Sequence, residues 1–336
     1  MQDLVLPVQY IRQIADLVSD MGTDVAAWLA RSHLSTAQLQ ADNLQLSQAH
    51  FHQLIEDALS CTGEPAFGLL LGERLVVNTH GLLGYAAMNS TSLRQAAQLI
   101  ERYISLRTSL ISIRLVETAD EAHLVFAEAM PLGSISRPVL EAVILAIKNV
   151  LDFMTQGSCV LKRTVFAFPD PGYADLASEL CKCEVGYNQG WSGFVLPIQA
   201  LDQPLKMADA ASFHDAEQIL QRELGKLNAA QPMSARVRRV MLEKQQGFPS
   251  LNLTARLFHL TPRTLHRRLQ AEGTSFKALL EEVRHSLALE HLKSGHMSVE
   301  DIAYSLGYTD MANFRRAFKR WEAMPPSRYR AAQDSV

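Results

Sequence analysis

Ile302-Ala303-Tyr304-Ser305-Leu306-Gly307-Tyr308, then Asn313-Phe314-Arg315-Arg316-Ala317-Phe318-Lys319-Arg320-Trp321, then Pro325-Pro326-Ser327-Arg328-Tyr329-Arg330 follow one another near the end of a 336-residue chain. Val299, Ile302, Ala303 and Leu306 stand three and four residues apart, which predicts one buried face of a short helix. Gly307 ends that helix, because glycine enters the left-handed region without a Cβ clash. Tyr308-Thr309-Asp310 turns the chain, with Thr309 or Asp310 as N-cap of the next helix. That helix carries Phe314, Ala317 and Phe318 inward and leaves Ala312, Asn313, Arg315, Arg316, Lys319 and Arg320 outside. Pro325 and Pro326 stop it and start a last short helix.

The same plan stands upstream. Residues 253–258 predict a short helix and His259-Leu260 a turn. Thr261 followed by Pro262 is a helix start signal: a hydroxyl caps the free N–H groups, and proline suits the first helical position. Leu265 and Leu269 then face inward, while Arg263, His266, Arg267 and Gln270 share the opposite face. Residues 276–293 read as one long helix that sets the separation of the two units. A helix of this kind fits the DNA major groove, where arginine meets guanine with two hydrogen bonds. A basic face is ordinarily a solvated one; three basic residues within 263–268, inside a paired helix-turn-helix, favour DNA contact instead.

These runs resemble the signature of the AraC/XylS family of transcription regulators, and residues 261–269 are similar to that family's first recognition helix. The resemblance covers nearly a third of the chain. It implies an all-α, seven-helix double helix-turn-helix DNA-binding domain over residues 233–331, with both recognition helices in adjacent major-groove segments of double-stranded DNA. By position, it implies contacts from Arg263, Thr264, His266, Arg267 and Gln270 in the first helix. In the second, it implies contacts from Met311, Asn313, Arg315, Arg316 and Lys319. Met311 departs in chemistry, since a thioether offers only apolar contact, so the second helix is expected to discriminate bases less.

Charge agrees with this division. Residues 233–336 carry 17 Lys and Arg against 10 Asp and Glu, a net of +7. The residues before them carry 15 against 25, a net of −10, so the whole-chain value of −3 conceals a basic end suited to a polyanion. The length suits two domains. We place a sensing and dimerisation domain at 1–228, a linker at 229–232 containing Pro232, and the DNA-binding domain beyond it.

The first domain reads as α+β, mostly helical with about four strands. Tyr10, Ile11, Ile14, Leu17 and Val18 fall at helical spacing, as do Leu54, Ile55, Ala58 and Leu59. A helix is predicted from about Ser92, and Ser136-Arg137-Pro138 opens a longer one. Apolar residues alternate in 111–115 and 122–126, predicting a hairpin, and 164–168 and 192–196 are two further strands. Residues 215–227 predict a helix whose Phe213, Leu220 and Leu227 stripe either dimerises the chain or packs on its own domain. Gly81-Leu82-Leu83-Gly84-Tyr85-Ala86-Ala87, Ser92-Leu93-Arg94-Gln95-Ala96 and Trp191-Ser192-Gly193-Phe194-Val195-Leu196-Pro197 resemble the long, arabinose-binding-like N-terminal domain of the ornithine-utilisation-type branch of the family. Too much of the region reads as helix for the all-β sugar-binding jelly roll.

Catalytic and phosphate-loop signatures are absent, so no enzyme and no cofactor is expected. Gly68-x-x-x-Gly72 reads as close helix packing. Cys181-Lys182-Cys183 lacks the second pair of a zinc site, and His285, His291 and His296 lack ligand spacing, so no metal is expected. Arg107, Arg137 and Trp191 are the candidates for an effector pocket, the arginines taking a carboxylate; salt bridges and a packed aromatic are the alternative. The expected partners are DNA, a small-molecule effector and a second copy of the chain, with RNA polymerase a further candidate and no membrane. Two alternative readings remain: an effector-independent regulator acting through protein partners, and a metal or redox sensor using Cys181 and Cys183. Met1-Gln2-Asp3-Leu4 has no basic region before an apolar run, and the four cysteines are irregularly spaced, so the cytoplasm is expected.

Overall fold

The computed structural model describes residues 3–40, 44, 46–158, 161–230, 232–243, 247–294 and 297–333. The chain divides into two compact units, Met1–Gly225 and Lys226–Val336.

The first unit opens with α1 (Val8–Asp20), α2 (Val25–Arg31), α3 (Thr36–Leu39), α4 (Gln48–Thr62), α5 (Phe67–Arg74), α6 (Gly81–Met88) and α7 (Leu93–Tyr103). The short strands β1 (Asp3–Leu4) and β2 (Leu46–Ser47) pair antiparallel among them. The predicted hairpin forms as β3 (Ile111–Glu117) and β4 (Glu121–Glu128), and the predicted long helix as α8 (Ser136–Thr155). Then come β5 (Arg163–Val165), α9 (Ala174–Cys181), β6 (Glu184–Gly186), β7 (Ser192–Pro197) and α10 (Ala210–Ala230).

The sheet has five strands in the order β3-β4-β7-β5-β6, antiparallel except for the parallel β5–β6 pair. About four strands were expected; among the described residues this sheet has one more, and β1 with β2 adds a second, two-stranded sheet. The predicted strand 164–168 ends at Val165: Phe166 and Phe168 leave the ladder to stack with each other, ring centroids 4.9 Å apart, and Phe166 also stacks on Tyr187. The expected linker is also shorter than read, because residues 229 and 230 belong to α10; Gln231 lies outside the described residues. The stripe on α10 packs on its own unit, with Phe213, Ala216 and Leu220 in the main core.

Gly68 and Gly72 pack α5 against α8 with no slack. A Cβ on Gly68 would stand 2.5 Å from the Pro138 carbonyl oxygen, and one on Gly72 would stand 2.8 Å from that of Ala142. Only the two missing side chains allow the helices this approach. Beside this contact Glu141 is fully buried. It accepts a 2.7 Å hydrogen bond from the Tyr173 hydroxyl, which in turn accepts one from Arg137 at 2.7 Å. Burial raises its carboxyl pKa to about 7, against the lowering effects of Tyr173 and Arg137.

Among the described residues, the second unit holds the seven helices expected from 233 onward: α11 (Met233–Glu243), α12 (Leu251–Leu257), α13 (Pro262–Ala271), α14 (Phe276–Ser294), α15 (Val299–Ser305), α16 (Met311–Glu322) and α17 (Pro326–Gln333). They enclose two small cores. Met233, Val237, Met241, Ala255, Leu265 and Leu269 form the first, with Leu279 and Val283 of α14. Ile302, Ala303, Leu306, Phe314 and Phe318 form the second, with Ala288 and Leu292 of the same α14. Leu287 and Phe248 pack against both. One helix therefore anchors both helix-turn-helix halves. Among the described residues, no helix is long and apolar enough to cross a membrane.

Candidate DNA interface and effector cavity

The first candidate recognition helix, α13, begins as its sequence directs. The Thr261 hydroxyl accepts a 3.1 Å hydrogen bond from the Thr264 N–H, and Pro262 occupies the first helical position. The preceding turn is made by His259 at φ +53°, a left-handed conformation that costs a non-glycine residue about 1 kcal/mol or more. Leu265 and Leu269 are buried, so Arg263, His266, Arg267 and Gln270 are forced to solvent. Thr264 is half-buried and its hydroxyl lies 2.9 Å from that of Thr261, so it serves the cap.

In the second half, Gly307 ends α15 at φ +74°. Asp310 is the N-cap of α16, accepting a 2.7 Å bond from the Asn313 N–H. The Asn313 side-chain amide donates to the other Asp310 oxygen, and the Asn313 carbonyl oxygen accepts from Arg316 Nη2 at 2.7 Å. The cap is thus the root of a chain that orders Asn313 and Arg316 before any ligand arrives. Arg315, Arg316 and Lys319 are exposed; Phe314, Ala317 and Phe318 are buried. Met311 packs partly against the second core and presents only an edge outward.

Two contacts tie α16 to α14. Arg320 pairs with Glu281 at 3.0 Å, and His285 lies 2.6 Å from Glu322 while stacking on Trp321. By contrast, among the described residues no carboxylate stands within 4.0 Å of Arg263, Arg267, Arg315 or Lys319. Arg238 and Arg320 are paired with Glu282 and Glu281, whereas Arg263, Arg267, Arg315 and Lys319 have no counter-ion among the described residues. That is the charge pattern of a surface which takes its anions from a partner.

In the first unit, the three effector candidates do not converge. Arg137 is held by Tyr173, its guanidinium 5.7 Å from the ring. Trp191 stacks on His123 at 5.1 Å, the planes 16° apart. Arg107 does reach a cavity of about 80 Å³, lined by residues from α1, α4, α5 and α8 and otherwise almost wholly apolar. With it stand Tyr10 and His80, which no sequence motif marks: Tyr10 falls in the helical stripe of α1 and His80 precedes a glycine. The Tyr10 hydroxyl lies 2.9 Å from His80 Nδ1, and the Arg107 guanidinium 5.4 Å from the Tyr10 ring. Burial, and then the Arg107 charge, lower the His80 pKa to about 4.

Cys181 and Cys183 have no further metal ligands around them: among the described residues, no group of three or more His, Cys, Asp or Glu could hold a metal ion. Burial pushes the Cys181 thiol up to about 12, the opposite of a reactive thiolate. His296 and Cys159 lie outside the described residues.

Comparison with known proteins places the two units. Residues 22–205 match the family model described as the arabinose-binding domain of AraC transcription regulator, N-terminal, and residues 254–332 match a helix-turn-helix domain. The chain is 33% identical to the ornithine utilization regulator of Pseudomonas aeruginosa, over 97% of this chain and 96% of that one. It is 25% identical to the transcriptional regulator VirS of Mycobacterium tuberculosis, over 94% and 93% of the two chains. Among solved structures, the transcriptional regulator CdpR from Pseudomonas aeruginosa aligns over 96% of this chain and 98% of that one, with 23% identity and a TM-score of 0.46.

Proposed function

The chain belongs to the AraC family of DNA-binding transcription regulators, and from that premise we propose that it reads an operator through α13 and α16 under the control of a small metabolite held in its first unit. The observation that carries this reading is the contrast in charge pairing: Arg238 and Arg320 are neutralised by Glu282 and Glu281, whereas Arg263, Arg267, Arg315 and Lys319 are exposed on the two capped helices without counter-ions among the described residues.

Arg263 stands in the first turn of α13, the part of a recognition helix that meets base edges, and Arg267 one turn further along the same face; both are assigned to bases together with His266 and Gln270. Thr264 supports them through the cap. In α16, the ordered pair Asn313 and Arg316 is assigned to bases; Arg315 and Lys319 take phosphates. Met311, half-withdrawn into the core, adds at most an apolar edge, so α16 discriminates less than α13. The DNA-binding domain is then 233–331 and the preceding residues sense the metabolite and self-associate as a homodimer in the cytoplasm. Effector binding shifts the population between DNA-competent and incompetent forms by no more than its differential affinity for the two. The chain regulates transcription rather than catalysing a reaction, with RNA polymerase as the final partner.

Genome-wide mapping of sites occupied by the tagged protein tests the reading. A shared motif with two read segments is expected. No enriched sites, or DNA binding that does not weaken as salt rises, would overturn it.

A further inference from the structure

The apolar cavity of the first unit contains one unbalanced charge. Arg107 is half-buried at its edge, and its Nη2 donates to the Thr79 carbonyl oxygen at 3.0 Å. Its Nε is buried and has no hydrogen-bond partner. Among the described residues no carboxylate lies within 4.0 Å of it. A guanidinium cannot shed its proton in a protein, so it remains cationic here. Partial desolvation of an unpaired cation is costly, and such cations are ordinarily matched by an anion.

The neighbours sharpen the requirement. His80 Nε2 is also buried and unpartnered, while its Nδ1 faces the Tyr10 hydroxyl. His80 is neutral at physiological pH, so the site offers a single positive charge with neutral hydrogen-bonding groups beside it. Thr108, also buried, completes the polar end. Everything beyond is hydrocarbon, including Ile14, Phe67, Val143 and Ile147. Among the described residues no acid lines the cavity, so a ligand bearing an ammonium group finds no partner there, and a sugar would leave most of its hydroxyls unsatisfied.

We propose that this cavity is the effector site and that its ligand is a short aliphatic monocarboxylate, the carboxylate on Arg107 and the hydrocarbon chain between α1, α5 and α8. The cavity of about 80 Å³ is roughly half the size of one that admits benzene, which limits the buried chain to about three or four carbons. This assignment rests on the regulatory reading above and gives it a ligand class.

Calorimetric titration of the full-length protein with propionate, butyrate, isovalerate, hexanoate and decanoate, beside butanol, hexanol and butylamine, tests the assignment. The short acids are expected to bind at least tenfold more tightly than the alcohol or amine of equal length. In Arg107→Met that preference should vanish. In Ala146→Leu, which keeps Arg107 and fills the cavity, binding of acids and alcohols should both be lost while circular dichroism stays that of the parent. Acids that do not bind, acids no better than alcohols, or an acid preference retained in Arg107→Met would each overturn it. Binding only of decanoate would overturn the size argument and with it the ligand class. Operator binding by the same preparations separates the two levels. Operator binding without any acid binding removes the ligand assignment alone. Acid binding that leaves operator affinity unchanged keeps the site and removes the regulatory reading.

Discussion

Replacing Arg263 and Arg267 by alanine, one at a time, examines the interface most directly. Both are exposed on α13 and, among the described residues, neither has an ion-pair partner, so their loss removes nothing from the fold; alanine is also the better helix former. Thermal midpoints should therefore stay within about a degree or two of the parent, since surface changes of this kind usually stay within about 0.5 kcal/mol. DNA recognition should change sharply. A lost two-bond contact to guanine costs about 1–3 kcal/mol, which is roughly 5- to 150-fold at one base pair. The two side chains stand four residues apart, a rise of about 6 Å along the helix. At about 3.4 Å per base pair, they should address positions about two base pairs apart. Fluorescence anisotropy on the operator and on its complete set of single-base-pair variants reads this out. Each alanine variant should lose preference at one position, the two positions being distinct and near neighbours. The reasoning fails if either variant weakens the operator and unrelated DNA by the same factor. It fails too if both relax the same position, or if either lowers the midpoint by several degrees.

Lys319→Ala should instead weaken all DNA alike and reduce the slope of log affinity against log salt by about 0.9; an unchanged slope would remove Lys319 from the phosphate contacts. Gly68→Ala places a methyl group 2.5 Å from the Pro138 carbonyl oxygen and 2.6 Å from Glu141 Oε2, so α5 and α8 must part. A loss of about 2–4 kcal/mol in chemical denaturation is expected, and a variant as stable as the parent would show that the contact has slack. Glu141→Gln probes the buried carboxyl. The folded chain holds its proton up to about pH 7, whereas an unfolded carboxylate releases it near 4.5. Between those values the folded state binds more protons, so the parent loses stability through this group as pH rises, by about 3 kcal/mol when complete. His80, lowered to about 4, acts in the opposite sense between 4 and 6.5, but it is common to both proteins and cancels in their difference. The glutamine variant should match the parent near pH 4.5 and exceed it above pH 7 in denaturant titrations. A difference independent of pH would contradict the assignment.

Local signals were the legible ones. Thr261-Pro262 starts α13, Gly307 ends α15, and Ser136-Arg137-Pro138 opens α8, because caps and breakers act within one turn and need no knowledge of the rest of the fold. Gly68 and Gly72 likewise announce close helix packing, although not which helix they meet. Thr309 and Asp310 were equivalent as caps until the backbone placed Asp310 in the extended conformation that a cap requires. Short elements escaped: β1 and β2 have two residues each and β6 three, too few to express a period. The cavity was illegible for another reason. Tyr10, His80 and Arg107 come from points about seventy and then about thirty residues apart, and only tertiary packing joins them. Arg137 and Trp191 had the right chemistry for a pocket, but Tyr173 and His123 claim them.

The sharing of α14 between two cores has a consequence for the genome as well as for the protein. Leu279 and Val283 hold one end of this rod, Ala288 and Leu292 the other, so the spacing between the two reading heads is a property of a single helix, not of a loop that could stretch. One base pair inserted between the two read segments would turn the second by about 35° and push it about 3.4 Å along the axis, a mismatch such a gauge has no means to absorb. Operators of this regulator should therefore drift freely in the letters between their half-elements while keeping the count of those letters constant.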